Sequence, residues 1–435
     1  MFSKKKKIDT NKNVKKKKGR FKRLIENIVS FLKRPVFKKI IFTIVCLFIF
    51  RLGNNIFVSS INIPFFNKVT GLSLFDMLTG SDLSSFTVFA LGLSPFITAS
   101  IIIELLSNDY LPIFAKLKEE SQTKKNTVTN LLGLAIAVIQ AGVYTFAMDK
   151  SYHYLKYNDI YSYIYTVIIL VAGSCIVLWL SKQIDAKGIG NGSSVIIAAG
   201  ILYRFPKMIC QAFDTTVSYK DKITFVFFGI LILVYLGIIA LTVFSEKSER
   251  RLKINFSRGA GSRQFNYLPI KLNVSSVIPV IFAASLLQAP QIICSLMNKT
   301  PKWLDYFSFE KPYGIAIYAV LIIFFTFFYS HTVINAEDVN KNLERNGGNI
   351  EGVRLGEETI FYINRVLTRI TVAGVISLLL ISLIPVLLPL FWDAAKDSGL
   401  SIAGTSLIIV VSVTFEIASR LKSAKTKKKV SSFLE

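Results

Sequence analysis

The sequence predicts an all-α polytopic membrane protein with ten transmembrane helices, and three observations lead there. Just over half of the 435 residues are apolar, at 52%. These residues are gathered into runs of about 20, the length a helix needs to cross a hydrocarbon core of roughly 30 Å. The formal charge of +25 is spread unevenly between successive loops. Ten such runs consume nearly all of the apolar sequence, so little is left to build a separate soluble core. Helix is the expected conformation of each run, because a backbone in lipid must satisfy its own hydrogen bonds.

A basic arm, residues 1–38, opens the chain. Its lysine run reads as a solvated tail or as a segment drawn to anionic lipids, at about 1 kcal/mol per basic residue near a headgroup surface. The stretch from Lys4 to Lys39 is too long for the n-region of a cleaved signal peptide, and the apolar run behind it is too long for an h-region. The first four spans are expected at about Ile40–Val58, Phe86–Leu106, Thr127–Met148 and Ile160–Leu180. The fifth starts near Gly192 and reaches Cys210 at most, with Arg204 and Pro206 expected to stop it at Tyr203. The others are Ile223–Phe244, Val274–Cys294, Tyr313–His331, Val366–Phe391 and Ser401–Ala418. A basic tail, residues 420–435, closes the chain.

With the N-terminus in the cytoplasm, most of the 52 Lys and Arg fall on the cytoplasmic side, and an even number of spans returns the C-terminus there. Two cytoplasmic loops are long, residues 245–273 and 332–365. The first external loop holds a short apolar stretch, Leu72, Leu74, Phe75 and Leu78, ended by Gly80. It is too short to span and must pack on the lipid surface or in a cavity between spans.

Several functions are disfavoured. Cys46, Cys175, Cys210 and Cys294 lack metal-type spacing and read as small buried hydrophobes, so no metal or other cofactor is expected. His153 and His331 have no nucleophile elbow, paired intramembrane aspartates or phosphate loop to work with, so no catalytic residues are assigned. The alternative with most in its favour is an ion-coupled secondary transporter. That class places ionisable residues near the midplane. Here the spans carry Arg51, Glu104, Arg369 and Glu416, all toward span ends.

Six segments carry a family resemblance. They are Arg51-Leu-Gly, Phe89 to Leu106 (FALGLSPFITASIIIELL), Lys187-Gly-Ile-Gly-Asn-Gly192, Ser276 to Leu287 (SVIPVIFAASLL), Gly352-Val-Arg-Leu-Gly356 with Val366 to Thr371, and Gly404 to Ile409. In order and spacing they resemble the SecY family, from about Lys38 to Arg420. The resemblance implies two pseudo-symmetric five-helix halves, residues 39–220 and 221–419, closed like a clamshell around an hourglass pore. It implies a channel for unfolded polypeptides that also releases apolar segments sideways into lipid. The implied partners are SecE and SecG as membrane subunits, the SecA motor ATPase, the ribosome and signal-sequence-bearing substrates, and the implied location is the bacterial plasma membrane.

The resemblance also implies site residues. Leu93, Ile97, Ser193, Ile197, Ile281 and Ile409 would form the pore ring, where branched apolar side chains exclude ions by dewetting yet yield around a passing chain. Leu93 and Ile97 are four apart, as are Ser193 and Ile197, so each pair shares a helix face. Ser193 departs from the family pattern, which has a branched apolar residue; its hydroxyl would weaken the seal or bond back to its own helix. The stretch holding Leu72, Leu74, Phe75 and Leu78 would be a plug at about residues 70–84. Thr98, Gln140 and Asn273 would be a polar cluster across a lateral gate between spans two and three on one side and seven and eight on the other. Pro95 and Pro279 are read as interior breakers that let the gate helices flex. Arg250, Arg251, Arg258, Arg263 and Arg354 would meet the ribosome or SecA. Leu355, where the family has proline, is a further departure.

Overall fold

The computed structural model describes residues 35–60, 86–106, 122–152, 159–217, 223–256, 267–274, 278–296, 301–307, 311–345, 347–391 and 400–431. The plug residues Leu72, Leu74, Phe75 and Leu78, the docking residues Arg258 and Arg263, and most of the basic arm lie outside them.

The chain is mostly helical. Among the described residues the α-helices are α1 (Pro35–Gly53), α2 (Ser94–Leu106), α3 (Gln122–Tyr152), α4 (Ile160–Lys187), α5 (Gly192–Val217), α6 (Ile223–Lys247), α7 (Ile278–Leu296), α8 (Pro312–Val333), α9 (Ala336–Arg345), α10 (Glu357–Phe391) and α11 (Leu400–Ser431). Among the described residues, helical stretches within α3, α4, α8 and α10 are both long and apolar enough to cross a membrane, and α2, α5 and α7 contain shorter apolar ones. Large apolar side chains are exposed along the helices, including Leu131 and Ile139 on α3, Ile168 on α4, Leu233 on α6 and Val320 on α8. Lipid provides the apolar surroundings that such faces need.

Four expectations are corrected. The second helix begins at Ser94, not Phe86. Residues 86–93 are apolar enough to continue it, but Phe86 (φ 46°) and Gly92 (φ 53°) take left-handed backbone, and Thr87 forms an isolated bridge with Phe57. Pro95 therefore lies in the first turn of α2, and Pro279 in the first described turn of α7. Proline is tolerated in a first turn because the N–H groups there have no intrahelical acceptor, so Pro95 is not an interior breaker; residues 275–277, before Pro279, lie outside the described ones. The fifth helix runs through Pro206 to Val217 instead of stopping at Tyr203, as helices in a bundle can when neighbours accommodate the freed carbonyl. Finally, the protein is not purely helical.

The added element is a three-stranded antiparallel sheet of order β2–β1–β3. Strand β1 is Glu249–Phe256, β2 is Tyr267–Lys271 and β3 is Gly348–Ile350. β1 pairs with β2 from Glu249↔Lys271 to Lys253↔Tyr267, and with β3 from Ile254↔Ile350 to Phe256↔Gly348. The two long loops thus fold together. Along β1, Leu252 and Ile254 are buried while Arg251, Lys253 and Asn255 are exposed, the alternation expected of a sheet with one covered face. The buried face rests on Leu343 of α9 and on Ile363, Val366 and Leu367 of α10.

The Lys187-to-Gly192 motif is a structural junction between α4 and α5. The Ile189 amide donates to Thr43 Oγ1 on α1 at 3.0 Å, and the Gly192 amide donates to Asp185 Oδ1 at 2.7 Å. Gly190 sits at φ 98°, and its carbonyl accepts from Arg420 of α11 at 3.1 Å. A side chain at Gly192 would collide with the Ser181 carbonyl. Glycine is required at both positions, for backbone sign at one and for close approach at the other.

Candidate functional site

The largest apolar cluster draws on helices from both parts of the chain. Ile197 of α5 and Ile409 of α11 are buried in it, beside Ile201, Ala284 of α7 and Ile322 of α8. Ile97 of α2 and Ile281 of α7 pack against it. Leu93, just before α2, is buried in an adjoining cluster with Phe50, Leu180 and Ile196, which Ile97 also touches. Five of the six ring residues therefore lie in two apolar clusters joined through Ile97.

Ser193 differs. Its hydroxyl shares a 3.0 Å hydrogen bond with Ser181 on α4. The bond runs to a neighbouring helix rather than back along its own.

The polar residues expected at the lateral gate are held separately. Thr98 is exposed and donates to the Ser94 carbonyl of its own helix at 3.0 Å. Gln140 is half-buried on α3. Asn273 is buried, and its side-chain amide donates to Glu246 Oε1 at 3.3 Å. No hydrogen bond among the described residues joins the three, although α3 and α7 touch.

Sequence reasoning missed two polar groups inside the bundle. One is Glu246, near the end of α6, which the sequence places in a loop. It is only 4% exposed and also accepts from Ser412 of α11 at 2.7 Å, so α6, α11 and the turn before α7 are tied at one carboxylate. Removing the acceptor strands two buried donors, which costs about 1–3 kcal/mol each. Glu246→Leu is accordingly expected to lower the thermal unfolding midpoint in detergent, while Glu246→Gln, which keeps an acceptor, lowers it less. The other missed group is the Tyr329 hydroxyl, which donates to Glu104. These partners are 225 positions apart, so no local pattern reveals the pair.

Of the described docking residues, Arg250 and Arg251 lie on β1 and Arg354 lies between β3 and α10. Arg250, Arg251 and Arg354 are exposed. Arg251 pairs with Glu249 at 2.6 Å and lies over the Tyr267 ring, and its hydrogen bond to Glu249 pushes its pKa further above the usual arginine value. Lys253 pairs with Glu351 at 3.7 Å. Arg250 and Arg354 have no ion-pair partner among the described residues.

Comparison with known proteins decides the family. The SecY family model matches residues 87–418. The chain is 35% identical over 427 residues to protein translocase subunit SecY 1 of Lactobacillus kefiranofaciens, covering 93% of this chain and 98% of that protein. This chain belongs to the SecY family. Two solved structures share the fold. One is a protein-conducting channel at 19% identity and TM-score 0.61, covering 90% of this chain and 93% of that one. The other is Sec61 from a canine ribosome–channel complex of the endoplasmic reticulum, at 17% identity and TM-score 0.60, with the same coverage. SecY membership accounts for the multi-pass apolar helices and leaves the secondary-transporter alternative without support.

Proposed function

We infer that this SecY-family chain is the central pore-forming subunit of a Sec translocon, conducting unfolded secretory polypeptides across the membrane and releasing transmembrane segments sideways into lipid. One observation carries the reading: Ile97, Ile197, Ile281 and Ile409 converge from four different helices on one apolar cluster. A constriction of that chemistry repels water and ions when idle and holds no group that would select one substrate sequence over another.

The finer reading is ten spans, α1–α8, α10 and α11, in two inverted five-helix halves, with both termini in the cytoplasm of a bacterial plasma membrane. The apolar stretch from Leu72 to Leu78 serves as the plug. The lateral gate opens between α2 and α3 on one side and α7 and α8 on the other. The sheet built from the two long loops is the docking surface, where exposed arginines meet ribosomal RNA phosphates or an acidic face of SecA. SecE and SecG cover exposed apolar helix faces. The occurrence of Sec61 in a ribosome–channel complex supports the ribosome as partner.

The test is reconstitution. The complex, purified as it assembles in the membrane, is placed in vesicles with a signal-bearing precursor and the motor ATPase. ATP-dependent protection of the precursor from external protease is the expected result. Absence of protection, together with proton-coupled uptake of a small solute, would instead establish the transporter class.

A further inference from the structure

Ile97, Ile101 and Glu104 are spaced four and three residues apart on α2 and so share one face. Ile97 and Ile101 pack against the cluster that contains Phe282, Phe325 and Tyr329. Glu104 continues this face to the end of the helix and accepts a hydrogen bond from the Tyr329 hydroxyl of α8. The Tyr329 ring is fixed by Phe282 of α7, with centroids 5.2 Å apart, and by Phe328 at 5.8 Å. The principal neighbour of α2 is α3, while those of α8 are α7 and α10. The bond therefore bridges two packing groups. Glu104 lies two residues from the end of α2 and Tyr329 four from the end of α8, so both helices finish at the same membrane face. Lys125, near the start of α3, acts electrostatically on the same carboxylate.

We propose that Glu104 and Tyr329 form a polar latch across the cytoplasmic end of the lateral gate, and that its strength sets how apolar a segment must be to open the gate and pass into lipid. The proposal rests on the lateral-gate reading above. An entering helix must part α2 from α8 and so break this bond. A Glu104 carboxyl oxygen is the acceptor, and the apolar side chains of the same face disfavour its replacement by water. Glu104 and Tyr329 are positioning residues: they hold the gate helices and do not conduct.

Tyr329→Phe removes only the hydroxyl and keeps the ring against Phe282. It should shift the hydrophobicity threshold for integration toward less apolar segments, raising release of a marginal segment about three- to tenfold, the range expected for losing one interhelical hydrogen bond in a bilayer. Glu104→Ala should do the same, and Glu104→Gln, which keeps an acceptor, should restore most of the wild-type threshold. The double variant should not exceed Glu104→Ala, because Tyr329→Phe removes nothing further once the acceptor is gone. Integration is read by lipid extraction of a graded series of segments delivered to the reconstituted full complex, with export of a soluble precursor as a second readout that should change little. An unchanged threshold in Tyr329→Phe, or additive effects in the double variant, overturns the latch while leaving the gate intact. Failure of the wild-type complex to release any segment into lipid overturns the gate reading itself.

Discussion

Ion leak through the idle complex should rise about tenfold or more when Ile281 and Ile409 are both replaced by asparagine. The seal at the centre of this account is a solvation effect: a narrow passage lined by branched apolar groups holds no stable column of water, so ions find no path. Ile409 is buried in the central cluster and Ile281 packs against it, on separate helices. Two amides placed there offer water hydrogen-bond partners in place of apolar groups. The same substitution at Ile168, 62% exposed on α4, should leave conductance at the wild-type level. Planar-bilayer recording of the purified complexes distinguishes the two, with assembly checked by gel filtration. Equal leak from both variants would remove Ile281 and Ile409 from the constriction. Ser193 gives a milder contrast. Its hydroxyl is engaged by Ser181, so Ser193→Ala should disturb the α4–α5 junction more than the seal.

Arg354→Glu should reduce motor-driven export by at least about tenfold, with insertion of nascent membrane proteins reduced less. The structure gives this loop a fixed shape. Gly352 (φ 79°) and Gly356 (φ 103°) flank it in left-handed backbone. The Val353 amide donates to the Ile350 carbonyl at 3.1 Å, and Thr359 Oγ1 donates to the Arg354 carbonyl at 2.7 Å. The guanidinium is exposed and has no counter-charge among the described residues. Reversing its sign replaces attraction to an acidic partner with repulsion, a change that can amount to several kcal/mol at a close contact. Arg251→Glu should be weaker, since Glu249 already balances Arg251. Reconstituted vesicles supplied with the motor ATPase or with translating ribosomes separate the two effects.

Hydropathy placed most of the helices because each apolar run must either cross lipid or be buried, whereas the expected ring residues rest on matched segments and not on any local pattern. The failures have local causes. The start of α2 was misread because residues 86–93 are as apolar as the helix they precede; Gly92 and Pro95 were the available signals. The end of α5 was misread because proline is a weaker breaker inside a helix bundle than in water. The strand at Glu249–Phe256 was legible in principle, since Arg251, Lys253 and Asn255 alternate with Leu252, Ile254 and Phe256. Its third partner, Gly348–Ile350, lies in a different loop and could not be found by local pattern. The same holds for Glu246 with Ser412 and for Glu104 with Tyr329, where the contact is purely tertiary.

Cross-linking a chain arrested in transit shows which helices line the path of the substrate. Single photoreactive residues are placed at Ile97, Ile197, Ile281 and Ile409, and separately at the exposed positions Ile168 and Leu233. A translocating polypeptide threaded through the apolar cluster is expected to give adducts at all four of the first set and at neither of the second. Adducts at the exposed positions, with none at the four isoleucines, would mean that the substrate crosses elsewhere.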